Sequence, residues 1–310
     1  MKKVLFATTA LVAFAGAAAA DVAISGFAEM GVADNGNGDL QYFQDIDVTF
    51  GMSGETDGGL AFGASVDLDE NGAFAPETHG GATVFISGSF GTLTMGDTDG
   101  AYDWAMTETA VGDAMADDHT EHAGYSGNGM ELGDGQVLRY DYSFGDVAFA
   151  VSMTQGDDGA DVVDDTTEVG VRYSVDMGGA SVALGLSYMD AGTQTTVLDA
   201  TTTPVTSITG DTGSVGVSVA VTSGALTGIV NYSDGELSGV DLTHTGVGIG
   251  YSAGALTVGL NYGEIEGPGG DADGYGLAVN YDLGGGAVVQ FGYGDGEDTD
   301  TMSFGLAMSF

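Results

Sequence analysis

The 310-residue chain contains no cysteine, so neither disulfides nor thiolate chemistry contributes to its fold or function. Basic residues are nearly missing as well: four Lys and Arg stand against 46 Asp and Glu, a formal net charge of −42. Such a polyanion repels phosphates and anionic headgroups, which excludes nucleic-acid binding and peripheral attachment to acidic lipid, and it attracts cations. Proline is limited to Pro76, Pro204 and Pro268, all in polar stretches, so no strand candidate carries one. Apart from the N-terminus, no stretch approaches the roughly 20 apolar residues that a spanning helix needs. A mature chain that crosses a membrane therefore crosses it with strands.

The N-terminus has a different use. Lys2 and Lys3 precede an apolar run from Val4 to Ala17, followed by Ala18-Ala19-Ala20 and then Asp21. A charged start, a hydrophobic stretch and a small-residue cleavage site in this order describe a signal peptide over residues 1–20. The expected mature chain is one domain, residues 21–310, whose only basic residues are Arg139 and Arg172. High acidity with few aromatics signals disorder in some chains, but here 43% of residues are hydrophobic and Tyr and Phe recur at alternating positions, as in a folded β protein.

What is abundant is period-two alternation. Met302, Phe304, Leu306, Met308 and Phe310 alternate with Thr301, Ser303, Gly305, Ala307 and Ser309, which suits a strand with hydrocarbon on one side and water on the other. Runs of this kind, bounded by Gly, Asp, Asn and Ser, fall at about 22–32, 42–53, 60–69, 81–90, 91–97, 136–144, 146–155, 167–177, 180–190, 212–222, 225–233, 243–252, 255–264, 273–283, 286–294 and 301–310. That is roughly sixteen strands of the length a tilted membrane strand requires. Connections such as Phe144-Gly145-Asp146 and Leu283-Gly284-Gly285-Gly286 are tight, whereas those around 33–41, 70–80, 98–135, 156–166, 191–211, 234–242, 265–272 and 295–300 are longer and acidic. Short and long alternate, which predicts an all-β, 16-stranded antiparallel transmembrane barrel with short periplasmic turns and long external loops. Ile46, Val48, Phe50 and Met52 are expected to meet lipid, and Asp45 and Asp47 to meet a water-filled lumen, because a dry interior does not hold unpaired carboxylates. Tyr232, Tyr251, Tyr262, Tyr281 and Tyr293 lie near strand ends, as an interfacial girdle requires.

Several segments resemble a known family. Ala82-Thr83-Val84-Phe85-Ile86-Ser87-Gly88-Ser89-Phe90-Gly91 leading to Met95-Gly96-Asp97, the stretch Tyr232-Ser233-Asp234-Gly235-Glu236-Leu237, Tyr275-Gly276-Leu277 with Tyr281-Asp282-Leu283, and the terminal Phe310 are similar to the general-diffusion porins of Gram-negative outer membranes in their alphaproteobacterial form. The resemblance implies an outer-membrane homotrimer embedded in lipid, with a long third loop folded into each lumen and small hydrophilic solutes diffusing through. It also implies a transverse field between acidic loop residues and basic wall residues. Here the chain departs from the family, since only Arg139 and Arg172 remain as bases.

Residues 98–135 form the longest connection, and a loop of that length is usually functional or disordered. It carries Asp99, Asp103, Glu108, Asp113, Asp117, Asp118, Glu121, Glu131 and Asp134 without one base, and Tyr102, Trp104, Met106, Val111 and Met115 to pack against a wall. The expected constriction comprises Asp45, Asp47, the loop carboxylates through Glu121, and Arg139 and Arg172 on the lumen face, each Arg pairing with a loop carboxylate or with a wall acid such as Asp141 or Glu168. Rings of carboxylates favour cations, so a cation-selective pore is expected. Asp117, Asp118 and Glu121 also suit a hard cation, and the resemblance implies calcium near this loop; no cofactor is otherwise required. His119 and His122 offer too few ligands for a closed zinc site. No nucleophile, base and orienting group meet in the sequence, so no enzymatic activity is expected. The rival reading is a secreted acidic calcium-binding or adhesin-like β protein, which leaves the alternation of turns and loops unexplained.

Overall fold

The computed structural model describes residues 21–34, 40–71, 79–115, 127–128, 136–155, 165–199, 206–296 and 300–310. Its strands are β1 Asp21–Asp34, β2 Gln41–Glu55, β3 Ala61–Asn71, β4 His79–Gly88, β5 Gly91–Asp97, β6 Gln136–Phe144, β7 Val147–Thr154, β8 Thr166–Asp176, β9 Ser181–Asp199, β10 Thr206–Ser223, β11 Leu226–Leu237, β12 Val240–Ala253, β13 Leu256–Gly267, β14 Gly270–Gly284, β15 Ala287–Gly296 and β16 Asp300–Ser309. A short helix, α1 (Ala101–Ala105), follows β5. Each strand pairs antiparallel with its neighbours in chain order, and β16 returns to β1 to close the cylinder. Closure leaves no ladder edge facing hydrocarbon, where an unpaired N–H or C=O costs several kcal/mol.

The closing seam runs from Phe27 opposite Ser309 to Asp34 opposite Met302. The terminal residue completes it: the Phe310 N–H donates to the Gly26 carbonyl at 2.8 Å, and the Gly26 N–H donates to the Phe310 carbonyl.

Side chains sort by parity. On β2, Phe43, Asp45 and Asp47 are buried on the inner face while Tyr42 and Ile46 are exposed on the outer one. On β12, Val247, Ile249 and Tyr251 face outward, each roughly half exposed. The inner wall is polar, with Ser187, Ser218, Asn231, Ser233 and Ser303 almost wholly buried there. Outward tyrosines form two levels. Tyr251 and Tyr281 stand near the tight turns, and Tyr232, Tyr262, Tyr275 and Tyr293 stand toward the opposite end, where their hydroxyls donate to Asp234, Glu264 and Asp295 at 3.1–3.5 Å. Apolar rings with wet tips suit the boundary between acyl chains and headgroups.

At the loop end the strands differ from the sequence reading. β9 and β10 reach 19 and 18 residues and take up most of 191–211, which the alternation assigns to a loop. The connections expected at 234–242 and 265–272 are tight hairpins instead. Ser238 and Gly239 take φ of 49° and 82°, the two positive values a type I′ turn demands, and Gly267 pairs with Gly270. The β9–β10 extension carries a polar pair across its ladder, Thr195 hydrogen-bonded to Thr209 at 2.8 Å. Beyond the hydrocarbon no apolar alternation is needed, so none marks it.

Candidate functional site: an acidic loop fastened inside the barrel

The chain leaves β5 at Asp97 and turns into the lumen. α1 packs on the inner faces of β7, β8 and β9. Its start is held by wall side chains: the Ala101 N–H donates to Ser152 Oγ at 2.8 Å, and the Tyr102 N–H donates to Glu168 Oε2 at 3.1 Å. Ser152 also donates to the same Glu168 oxygen at 2.7 Å, so one buried carboxylate gathers both wall and loop. Gly100 makes this possible, because a Cβ there would collide with the Glu168 carboxylate.

Beyond the helix the loop keeps to the wall. The Tyr102 hydroxyl shares a hydrogen bond with Ser214 on β10, and the Thr107 N–H donates to Ser218 at 3.0 Å. Asn231 on β11 donates to the carbonyls of Thr107 and Gly127. Asn280 on β14 accepts the Asp113 N–H at 2.9 Å and donates to the Asp113 carbonyl at 2.6 Å, a two-point clamp on one residue. Met115 ends fully buried with Ala33 and Phe43, against Gly31 and Gly305 of β1 and β16. Residues 98–115 therefore follow the inner wall from β7 round to β1.

Both arginines reach this loop, Arg139 through a backbone carbonyl and Arg172 through an aromatic ring. Arg139 on β6 donates through Nη1 to the Asp99 carbonyl at 2.6 Å and lies 3.7 Å from the Asp141 carboxylate. The Arg172 guanidinium on β8 lies 4.2 Å from the ring centre of Trp104, a cation–π contact. Glu168, named from sequence with Asp141 as a wall acid that an arginine could neutralise, serves the start of α1.

Of the expected site residues, Asp99 and Asp113 are exposed, Asp103 and Glu108 are half-buried, and all four ride on the fastened loop. Asp103 accepts a hydrogen bond from the Asn128 side chain. Asp45 and Asp47 are buried on the inner wall of β2. Asp117, Asp118 and Glu121, with His119, His122, Glu131 and Asp134, lie outside the described residues, so the calcium reading stands on their chemistry alone. Sequence reasoning missed Glu29, a buried inner-wall acid opposite Asp45 in the β1–β2 register, and the fasteners Ser152, Ser218, Asn231 and Asn280. The parity of β1, extended over Glu29, was the available signal for the first.

Asp99 touches lumen water yet sits deep in the cylinder. Loss of bulk solvation, followed by the nearby Asp103 charge, pushes its carboxyl above the usual range, while Arg139 and Arg172 oppose the shift. Since a raised carboxyl takes up its proton first on acidification, cation preference should begin to fall at a pH where ordinary carboxylates are still charged. Asp99→Asn should remove that early portion of the pH dependence, which reversal potentials measured over a pH series would show.

The comparisons agree with this architecture. Residues 7–301 match the family model described as Gram-negative porin. The chain is 33% identical to the porin of Rhodobacter capsulatus over 226 residues, 70% of this chain and 68% of that protein. Among solved structures, a porin refined at 1.8 Å superimposes with a TM-score of 0.72 at 26% identity, covering 94% of this chain and 100% of the other. An engineered variant of Rhodopseudomonas blastica porin gives a TM-score of 0.68 at 20% identity over 94% of this chain and all of its own, a likeness of fold. A closed sixteen-stranded cylinder with its third loop tied to the inner wall thus meets its family: the chain belongs to the Gram-negative porins, outer-membrane channels for passive diffusion rather than enzymes.

Proposed function

We propose that this porin is a cation-preferring pore whose constriction is the loop from residue 98 to residue 115. One observation carries the reading: the loop brings Asp99, Asp103, Glu108 and Asp113 onto a wall that already holds Glu29, Asp45 and Asp47, while both arginines are engaged in fastening the loop. The lumen then presents nearly one sign of charge to a passing solute, and carboxylates favour cations over anions. Small hydrophilic solutes pass by diffusion.

The same proposal includes export by residues 1–20, a mature domain of residues 21–310, and assembly as a homotrimer in lipid. Supporting the last is the outer face of β1, where Val22 and Ile24 are each about two-thirds exposed. Reversal potentials across a salt gradient test the selectivity: the cation-favouring sign is expected, weakening as salt shortens the Debye length from about 8 Å at physiological ionic strength. An anion-favouring sign refutes it. On gels, an outer-membrane species that dissociates only on heating is expected for the trimer.

A further inference from the structure

The loop's path is marked by wall glycines. The carbonyl oxygens of Ala101, Ala105, Thr109 and Val111 fall respectively on Gly170 of β8, Gly185 of β9, Gly248 of β12 and Gly259 of β13, each so close that a Cβ built there would stand nearer than 3.0 Å. The Val111 side chain crowds Gly250 in the same way, and Met115 crowds Gly31 and Gly305. Every one of these glycines faces the lumen, where an ordinary strand would carry a side chain. Contacts between a carbonyl oxygen and a glycine Cα–H are favourable individually by about 0.5–1 kcal/mol, and no side chain can intervene.

We infer that these glycines are specificity-determining positions: they set how deeply the loop lies in the wall and hence the width of the pore. The hydrogen-bonding residues between them, Ser218, Asn231 and Asn280, fix where along the wall the loop is tied. The glycines fix its depth. A methyl at Gly248 or Gly259 meets a loop carbonyl head-on, and because the wall is braced by strand ladders on both sides, the loop is what moves. It moves into the lumen, by on the order of 1 Å to restore an ordinary C···O separation.

This inference rests on the reading of residues 98–115 as the constriction. The test is Gly248→Val and Gly259→Val, singly and together, with Gly228→Val as control, since nothing lies within 4 Å of a Cβ at Gly228. The double variant is expected to conduct roughly twofold less per channel and to exclude smaller sugars in liposome swelling, since passage depends on bore diameter. Gly248→Ala and Gly259→Ala should shift both readouts the same way by less, and serve where valine blocks folding. Unchanged conductance and exclusion in heat-modifiable trimers overturn the inference. A rise in conductance overturns it too, because the loop would then have been released rather than displaced inward. If the glycine variants conduct normally while Asp113→Asn shifts the reversal potential, the seats fail alone. If neither responds, the constriction reading fails with them.

Discussion

Replacing Asp103 and Asp113 together by Asn is expected to lower the cation-to-anion permeability ratio several-fold while leaving the barrel as stable as before. Asp113 is exposed to the lumen and its backbone is clamped by Asn280, so its carboxylate is held near the passing solute. In a water-filled bore a unit charge about 5 Å away is worth roughly 0.8 kcal/mol. Screening over a Debye length of about 8 Å reduces that by roughly half. Each carboxylate then attracts a cation about twofold and repels an anion by a similar factor, so two of them change the ratio by about an order of magnitude at most. Asparagine keeps the shape and an acceptor oxygen, so the hydrogen bond from Asn128 to residue 103 survives. Reversal potentials read the change directly. A ratio that stays at the wild-type value would move the selectivity to the wall acids Glu29, Asp45 and Asp47.

The barrel was legible in the sequence because a membrane imposes its demand locally. Hydrocarbon on one side and water on the other force alternation on each strand by itself, and all sixteen strands announce themselves in this way. The rule fails where its cause ends. Beyond the hydrocarbon the outward positions need not be apolar, so Thr193 to Asp199 reads as loop although it is strand. The site was legible in composition and not in position. A long acidic connection with apolar anchors predicts a loop that packs on something, and Tyr102, Met106 and Met115 are indeed buried. Where they pack depends on partners far along the chain: Glu168 is 66 residues from Tyr102, and Asn280 is 167 residues from Asp113. Only barrel closure and register bring these together. The arginines show the same limit: Asp141 lies beside Arg139 as charge suggested, but charge did not point to the Asp99 carbonyl or the Trp104 indole that the geometry adds.

Glu168→Ala is expected to free the start of the loop, whereas Glu168→Gln should leave it nearly in place. The Glu168 carboxylate is buried and accepts from the Tyr102 N–H and from Ser152, which in turn accepts the Ala101 N–H. Alanine removes the common acceptor, and leaving such donors buried without a partner costs about 1–3 kcal/mol. At 1.4 kcal/mol per factor of ten, the detached population of residues 99–104 rises roughly 5- to 140-fold. Glutamine retains an acceptor oxygen, so the comparison separates hydrogen bonding from charge. The strand ladders are untouched, so heat-modifiability should persist in both variants. Farther along, Ser218, Asn231 and Asn280 still tie the loop to the wall, which confines the opening to the segment under Arg139 and Arg172. Single-channel recordings should therefore show brief excursions to a higher conductance in the alanine variant rather than a uniformly wider pore. A quiet channel of wild-type conductance would mean that Arg139 at the Asp99 carbonyl and Arg172 over Trp104 suffice to hold the loop's entry.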